Sequence, residues 1–376
     1  MSASSAFSKE DQQFMQLALD LAKQGIYTTS PNPRVGCVLV KNGKIVGKGF
    51  HAKAGEGHAE VMALKDAGEN AKGATAYVTL EPCSHYGRTP PCALGLIHAG
   101  VTRVIAAMQD PNPQVAGRGL KMLADAGIET QVGLLSEQAE HLNRPFLMRM
   151  RQNRPFVQLK MAISLDGRTA MASGESKWIS NEQSRADVQK LRAASCAILS
   201  TSATVLHDNP RLNVRYEQFP DDLKAQYPQE KLRQPIRIIL DNHHKVRPTA
   251  RLFECDAPVW LVSSTPRDLA AFPENCEQII VPNHDFIDLP ALLHILAERQ
   301  INALWLEAGA TLAGAFIENK LVDELIVYLA PKILGDQARG FCKLPHLTRL
   351  ADASNWECKQ IETFGSDVKL TYYPKG

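Results

Sequence analysis

The chain has 376 residues, more than one typical core accommodates, so two domains are expected. Its 44% hydrophobic and 22% charged residues are ordinary for a globular protein, and a net charge of +2 without a long basic block argues against a nucleic-acid scaffold. The start, MSASSAFSKEDQQF, lacks a basic segment leading into an apolar one, and runs such as LIVYLA at 325–330 are far below the ~18 residues of a membrane span. A cytoplasmic protein, binding neither membrane nor nucleic acid, is expected; a small anionic substrate is compatible with this charge.

In chain order, the first element is a helix. Ser8 with Asp11 forms a capping-box-like start, Phe14, Ala18, Leu21 and Ala22 make an apolar stripe, and Gly25 ends it. GCVLVK and KIVGKGFH flank Asn42-Gly43, the signature of a β-hairpin. The helix HAEVMALKDAG, strand ATAYVTL, helix CALGLIHAG, strand RVIAAM, helix RGLKMLADAG and strand IETQVGL follow. This alternation predicts an α/β sheet covered by helices. The basic run at 144–155, with Arg144, Arg149, Arg151 and Arg154, reads as a solvated helix end plus linker, and the domain boundary is placed there, giving 1–150 and 151–376.

The second half restarts with strand FVQLKMAIS and an Asp166-Gly167 turn, then an amphipathic helix over roughly 181–195. Strands are predicted at AILS, IRIIL, VWLVS, EQIIV, ALWLE, ELIVYLA and VKLTYY, with helices near 290–300 and 311–322. This is a second α/β domain, richer in sheet.

Eight cysteines spread over a long chain in a reducing compartment seldom form structural disulfides, so Cys83 and Cys92 in TLEPCSHYGRTPPCALG need another explanation. His58 and Glu60 open one predicted helix and Cys92 opens another, where free N–H groups favour thiolate. One imidazole and two thiolates suit tetrahedral Zn²⁺ with an open fourth position. His85 is the obvious candidate to close the site, but flanking residues in so short a loop rarely complete a tetrahedron beside Cys83. Zinc can lower the pKa of a bound water to about 7, and Glu60 is placed to carry its proton to a leaving amine. His-x-Glu followed by Pro-Cys and a second Cys is the order found in zinc-dependent nucleobase deaminases, although those usually space the cysteines C-x-x-C. His-Ala-Glu alone is nearly uninformative, and so is a lone Cys pair; the ordered set carries the reading.

In the second half, ALWLEAGATLAGAF gives a strand, a small-residue turn and a helix whose N-terminus favours anions, a weak signal by itself. GKGFHA at 47–52, a near match to a dinucleotide-binding glycine motif, lies in the hairpin and leads into no helix, so a Rossmann fold is not supported.

Seven blocks in order, TTSPNPRVGCVLV, GHAEVMAL, TLEPCSHYGRTPPC, QDPNPQVAGRG, KMAISLDGRTA, SATVLHDNPRL and WLEAGATLAGAF, resemble the bifunctional deaminase/reductase family of riboflavin biosynthesis, whose long PCSHYGRTPPC loop accounts for the cysteine spacing. The resemblance implies an N-terminal cytidine-deaminase-like three-layer domain that deaminates 2,5-diamino-6-ribosylamino-4(3H)-pyrimidinone 5′-phosphate, with one Zn²⁺ per chain on His58, Cys83 and Cys92 and Glu60 as proton shuttle. It implies substrate contacts from Asn32, His51, Arg88, Asp110 and Asn112, although Asn32 and Asn112 also lie in Pro-Asn-Pro turns.

For the C-terminal half the resemblance implies a dihydrofolate-reductase-like domain that uses NADPH to reduce the ribosyl group to ribityl. Cofactor contacts would come from Ala162, Trp178, Thr204, Asp208, Asn242 and the turn Gly309, Ala310, Thr311, Leu312, Ala313, Gly314 and Ala315. Substrate contacts would come from Lys160, Ser176, Arg192, Leu212, Arg215 and Glu307, with Arg192 and Arg215 on the phosphate and Lys160, Asp208 or Glu307 assisting at C1. A homo-oligomer, dimer or tetramer, is common for such enzymes. The rival readings are a zinc deaminase of another nucleotide or a tRNA base with a nucleotide-binding regulatory C-terminal half, and a closed structural zinc module without turnover.

Overall fold

The computed structural model describes residues 7–86, 90–112, 116–282 and 286–375, and the chain divides into two compact units, residues 1–153 and 154–376. Both are mixed α/β.

Unit 1 carries α1 (Lys9–Lys23), β1 (Gly36–Lys41), β2 (Lys44–Phe50), α2 (Ala59–Ala67), β3 (Thr75–Val78), α3 (Cys92–His98), β4 (Arg103–Ala106), α4 (Arg118–Asp125), β5 (Glu129–Val132) and α5 (Ser136–Gln152). The capping box of α1 is complete, since Ser8 accepts the Asp11 N–H and the Asp11 carboxylate accepts the Ser8 N–H. Asp11 also receives the Tyr77 hydroxyl at 2.7 Å and Arg103 at 3.1 Å, so one residue starts the helix and ties it to the sheet. Asn42 and Gly43 both take positive φ, 52° and 71°, as a tight hairpin turn requires. The five-stranded sheet runs β2-β1-β3-β4-β5, antiparallel at the hairpin end and parallel from β3 to β5. Residues including Val38, Leu39, Ala76, Ile105 and Leu123 fill its core.

The glycines of GKGFHA serve packing. A Cβ on Gly47 would lie 2.4 Å from the Ala63 carbonyl, and one on Gly49 would lie 2.5 Å from the Ala63 N. Only glycine lets α2 settle this closely on β2, and α2 is the helix that His58 and Glu60 open. The basic run belongs to a longer helix than the sequence suggests: α5 continues through Pro145 to Gln152. Beyond it, Arg154 is no solvated linker residue. It makes a bidentate pair with Asp323, both bonds at 2.7 Å.

Unit 2 carries β6 (Phe156–Ser164), β7 (Arg168–Ala170), α6 (Glu182–Ala194), β8 (Ala197–Thr201), α7 (Ser202–Asp208), α8 (Asp221–Gln226), β9 (Ile236–Leu240), β10 (Val259–Ser263) and β11 (Cys276–Ile280). Then come α9 (Leu289–Glu298), β12 (Ala303–Glu307), α10 (Ala310–Glu318), β13 (Glu324–Ala330), β14 (Arg339–Gly340), β15 (Trp356–Phe364) and β16 (Asp367–Pro374). Nine strands form one sheet in the order β11-β10-β9-β8-β12-β6-β13-β16-β15. The pairs from β11 to β13 are parallel, and β8, β10, β12 and β13 among them are almost wholly buried because both faces are covered. Two apolar clusters, one around Leu159, Leu304 and Phe316 and the other around Ile198, Ile239 and Trp305, lie against it. Edge strand β15 is mostly exposed and carries Glu357, Lys359 and Glu362, which hid it from a reading by hydrophobic pattern.

Candidate active sites

In unit 1 the ends of three elements converge. His58 is the N-cap of α2, Cys92 is the first residue of α3, and Cys83 follows β3 through Pro82. One potential ligand atom from each lies within 4.8 Å of the others. His58 Nδ1 is 3.2 Å from Cys92 Sγ and 3.6 Å from Cys83 Sγ. Zinc bonds of about 2.0–2.3 Å place tetrahedral N and S ligands roughly 3.5–3.8 Å apart, so the donor set and its spacing fit the ion. His85 is exposed and stands outside this cluster.

The backbone holds the thiols. The Cys92 N–H donates to Cys83 Sγ at 3.3 Å and the Ala93 N–H to the Cys83 carbonyl at 3.2 Å, so the start of α3 supports the first cysteine. A hydrogen bond from Cys92, opposed by burial and reinforced by His58, holds the Cys83 thiol down at about 4. Glu60 is 3% exposed on the first turn of α2, and burial followed by the Cys83 charge pushes its carboxyl up to about 7. A buried carboxyl beside three converging ligand atoms can hold and release a proton.

Four of the residues expected on the pyrimidine are described. His51 is buried; its Nδ1 lies 3.1 Å from the Gly57 carbonyl and its Nε2 3.0 Å from Asn32 Nδ2. A carbonyl can only accept, so Nδ1 donates to Gly57 and Nε2 accepts from Asn32. His51 therefore orients Asn32 and stands edge-on to the His58 ring, with centroids 5.5 Å apart. Asp110 is buried and accepts the Asn112 N–H at 2.8 Å; burial, opposed by that bond, pushes its carboxyl up to about 6. Arg88 lies outside the described residues.

In unit 2 the C-terminal ends of the parallel strands open on a cleft of about 1660 Å³, larger than a usual single-ligand pocket. Lys160, Ser176, Arg192, Arg215 and Glu307 line it, as do Ala162, Trp178, Thr204, Asp208 and Asn242. Of the turn at 309–315, Gly309, Ala310, Thr311, Leu312 and Ala315 face the cleft. Ala313 is buried in the core, and Gly314 serves packing, since a Cβ there would lie 1.9 Å from the Lys343 carbonyl. A Cβ on Gly309 would meet nothing within 4 Å, which leaves the start of α10 open to an anionic group. Leu212 is buried in an apolar cluster with φ of 49°.

The charges in this cleft are organised by one ion pair. Arg192 donates Nε and one terminal nitrogen to the two Glu307 oxygens at 2.6 and 2.7 Å, and its other terminal nitrogen to the Asn213 carbonyl at 2.9 Å. Trp305 Nε1 adds a bond to Glu307 at 2.7 Å. Burial pushes Glu307 up, but Arg192 and then Lys160 outweigh it and hold the carboxyl at about 2. Arg192 is thus committed to a carboxylate, whereas the Arg215 guanidinium makes no ion pair among the described residues. Burial lowers the Lys160 ammonium below its ordinary value. Sequence reasoning missed Arg185 and Gln189, which lie two turns and one turn before Arg192 on the same face of α6 and also line the cleft. The helical spacing from Arg192 was the available signal. Arg185 stacks on Trp178, 4.6 Å from the ring centre, and Gln189 accepts the Arg215 N–H at 3.0 Å.

Two family models match: the cytidine and deoxycytidylate deaminase zinc-binding region over residues 8–108, and the RibD C-terminal domain over residues 155–370. The chain is 66% identical to the riboflavin biosynthesis protein RibD of Haemophilus influenzae over 370 residues, covering 98% of this chain and 99% of that one. It is 56% identical to RibD of Escherichia coli K12, covering 96% and 98%. Among solved structures, Acinetobacter baumannii RibD superposes with a TM-score of 0.91 at 43% identity, over 98% of this chain and 99% of that one. A Thermotoga maritima protein described as a diaminohydroxyphosphoribosylaminopyrimidine deaminase/5-amino-6-(5-phosphoribosylamino)uracil reductase gives 0.85 at 32%, over 97% and 99%.

Proposed function

The chain belongs to the RibD family and is a zinc- and NADPH-dependent deaminase and reductase of riboflavin biosynthesis, and we propose that its two units divide the work residue by residue as follows. Unit 1 deaminates the diaminohydroxyphosphoribosylaminopyrimidine, and unit 2 reduces the resulting phosphoribosylaminouracil at the sugar. The observation that carries this reading is the buried Glu60 beside the convergent His58, Cys83 and Cys92.

In unit 1, His58, Cys83 and Cys92 would hold the zinc, which would supply a water activated for attack. Glu60 takes the proton of that water and hands it to the departing amine, so ammonia leaves neutral. Asn32, oriented by His51, and Asp110 with Asn112 hold the polar edge of the ring. Arg88 is the proposed phosphate contact, as a bidentate cation.

In unit 2, NADPH held in the cleft would supply the hydride for the ribosyl C1, which is presented as an open-chain imine. Gly309 to Leu312 at the start of α10 and Thr204, Asp208 and Asn242, which line the same cleft, hold the dinucleotide. Lys160 Nζ gives a proton to the imine nitrogen as C1 is reduced, which leaves the ribityl amine neutral. Glu307 is too firmly ionised by Arg192 to donate, and its role is to hold charge beside Lys160. Arg215 takes the substrate phosphate; Arg192 is a holder of Glu307 first. The enzyme is taken to act in the cytosol, as an oligomer of identical chains.

Turnover in two stages tests the reading. The diaminopyrimidinone phosphate should release ammonia before NADPH is added, and NADPH should be oxidised only after that release.

A further inference from the structure

The Thr-Leu-Glu-Pro-Cys segment contains a residue to which the proposed chemistry gives no role. Glu81 is 3% exposed, two positions before the ligand Cys83. Its carboxylate accepts four backbone N–H groups: Asp110 at 3.2 Å and Gly117 at 2.9 Å on one oxygen, Gly119 at 3.0 Å and Leu120 at 3.3 Å on the other. Its own N–H donates to the Met108 carbonyl at 3.0 Å. The next residue is pinned too, because a Cβ on Gly119 would lie 1.9 Å from the Pro82 carbonyl, so α4 rests directly on the Cys83 loop.

We propose that Glu81 is a positioning residue of the deaminase site, one carboxylate that fixes the zinc-ligand loop and the Asp110 substrate loop in a common frame. The proposal rests on the deaminase reading of unit 1. With four donors on two oxygens and no open face, Glu81 cannot itself touch substrate. What it controls is distance. The Asp110 backbone is set by Glu81, and the Asp110 side chain is set in turn by the Asn112 N–H. The start of α4 is satisfied by the same carboxylate, since its N-cap, Gly117, has no side chain to cap it. A glutamine would keep the shape but turn an NH₂ toward two N–H donors, leaving them unpaired in a buried place.

The test is Glu81→Gln in the full chain, read by zinc content, steady-state deamination, NADPH-dependent reduction of the deaminated product, and amide exchange. One zinc per chain, a KM for the diaminopyrimidinone phosphate raised about tenfold, kcat within about threefold, and faster exchange at Gly117, Gly119 and Leu120 are expected. Reduction should be unchanged. Gly117→Ala, at φ of 78° and with a Cβ 2.6 Å from Gln109 Nε2, disturbs one of the four bonds and should raise KM in the same direction by a smaller factor. It carries the test if the first variant does not fold. Unchanged KM in the folded variants, or loss of zinc and kcat with KM unaltered, overturns the proposal. Failure of the underlying reading shows elsewhere, in a zinc-loaded wild-type chain that releases no ammonia.

Discussion

Lys160 and Glu307 are register partners on the neighbouring parallel strands β6 and β12, and both line the reductase cleft. Equivalent positions on paired parallel strands point to the same face, so the sheet itself sets an amine beside a carboxylate that Arg192 holds low in pKa.

The first prediction follows from that pairing. In the proposed reduction Lys160 acts in its protonated form, and burial lowers its pKa below the ordinary 10.5. Reductase kcat is therefore expected to fall as pH rises through that lowered value, with no limb from Glu307 near neutrality. Lys160→Met should cost about 10²–10⁴-fold in NADPH oxidation and leave ammonia release intact. A pH profile of both half-reactions checks this; an unaltered reductase profile in the variant would count against Lys160 as donor.

A second prediction concerns stability. Behind Lys160, whose ammonium lies 5.9 Å from the Tyr328 ring centre, Asp187 accepts the Tyr328 hydroxyl at 2.7 Å and Lys369 at 2.9 Å. Burial pushes Asp187 up, but Lys369, Lys190 and Tyr328 together bring it below the ordinary 3.8. The folded value is the lower one, so this stabilisation is complete above 3.8 and is lost as pH falls through the folded value. Asp187→Asn should lower unit 2 stability by about 3–5 kcal/mol near neutral pH, and by less in acid, as read from urea unfolding at several pH values.

Metal removal supplies a third. Chelation, or Cys92→Ala, is expected to abolish ammonia release and leave the reduction of deaminated product untouched. Zinc analysis should give one ion per wild-type chain and none in the variant. Loss of both activities on chelation would show that the reductase cleft also needs the metal.

Gly49→Val supplies a fourth, and it tests a glycine whose motif invited a different reading. The added side chain drives α2 off β2, because a Cβ alone would stand 2.5 Å from the Ala63 N. Zinc affinity and deamination should fall together, by tenfold or more for a displacement on the order of 1 Å, while reduction persists. Wild-type zinc affinity in this variant would mean that the seat of α2 is not what holds His58.

Much of this architecture is legible in the residues. Ser8 and Asp11 announce α1, Asn42-Gly43 announces the hairpin, and the apolar runs of the parallel strands announce the large sheet, because each is a local rule obeyed locally. The convergence of His58, Cys83 and Cys92 was legible because they combine uncommon residue types in a known order. What stayed hidden depends on distant partners. Nothing near Arg192 in sequence says that Glu307 saturates it, 115 positions away. Glu81 looks like any acid before a proline until four amides from 110–120 close on it. α5 runs through Pro145, which reads locally as a break, and the exposed strand β15 has no apolar alternation to betray it.

The most direct test is Glu60→Gln, assayed with each of the two pyrimidine substrates in turn. The variant should keep its zinc, release no ammonia from the diaminopyrimidinone phosphate, and oxidise no NADPH with it. Given the deaminated product instead, it should oxidise NADPH at the wild-type rate. Ammonia release at the wild-type rate from the zinc-loaded variant would contradict the account.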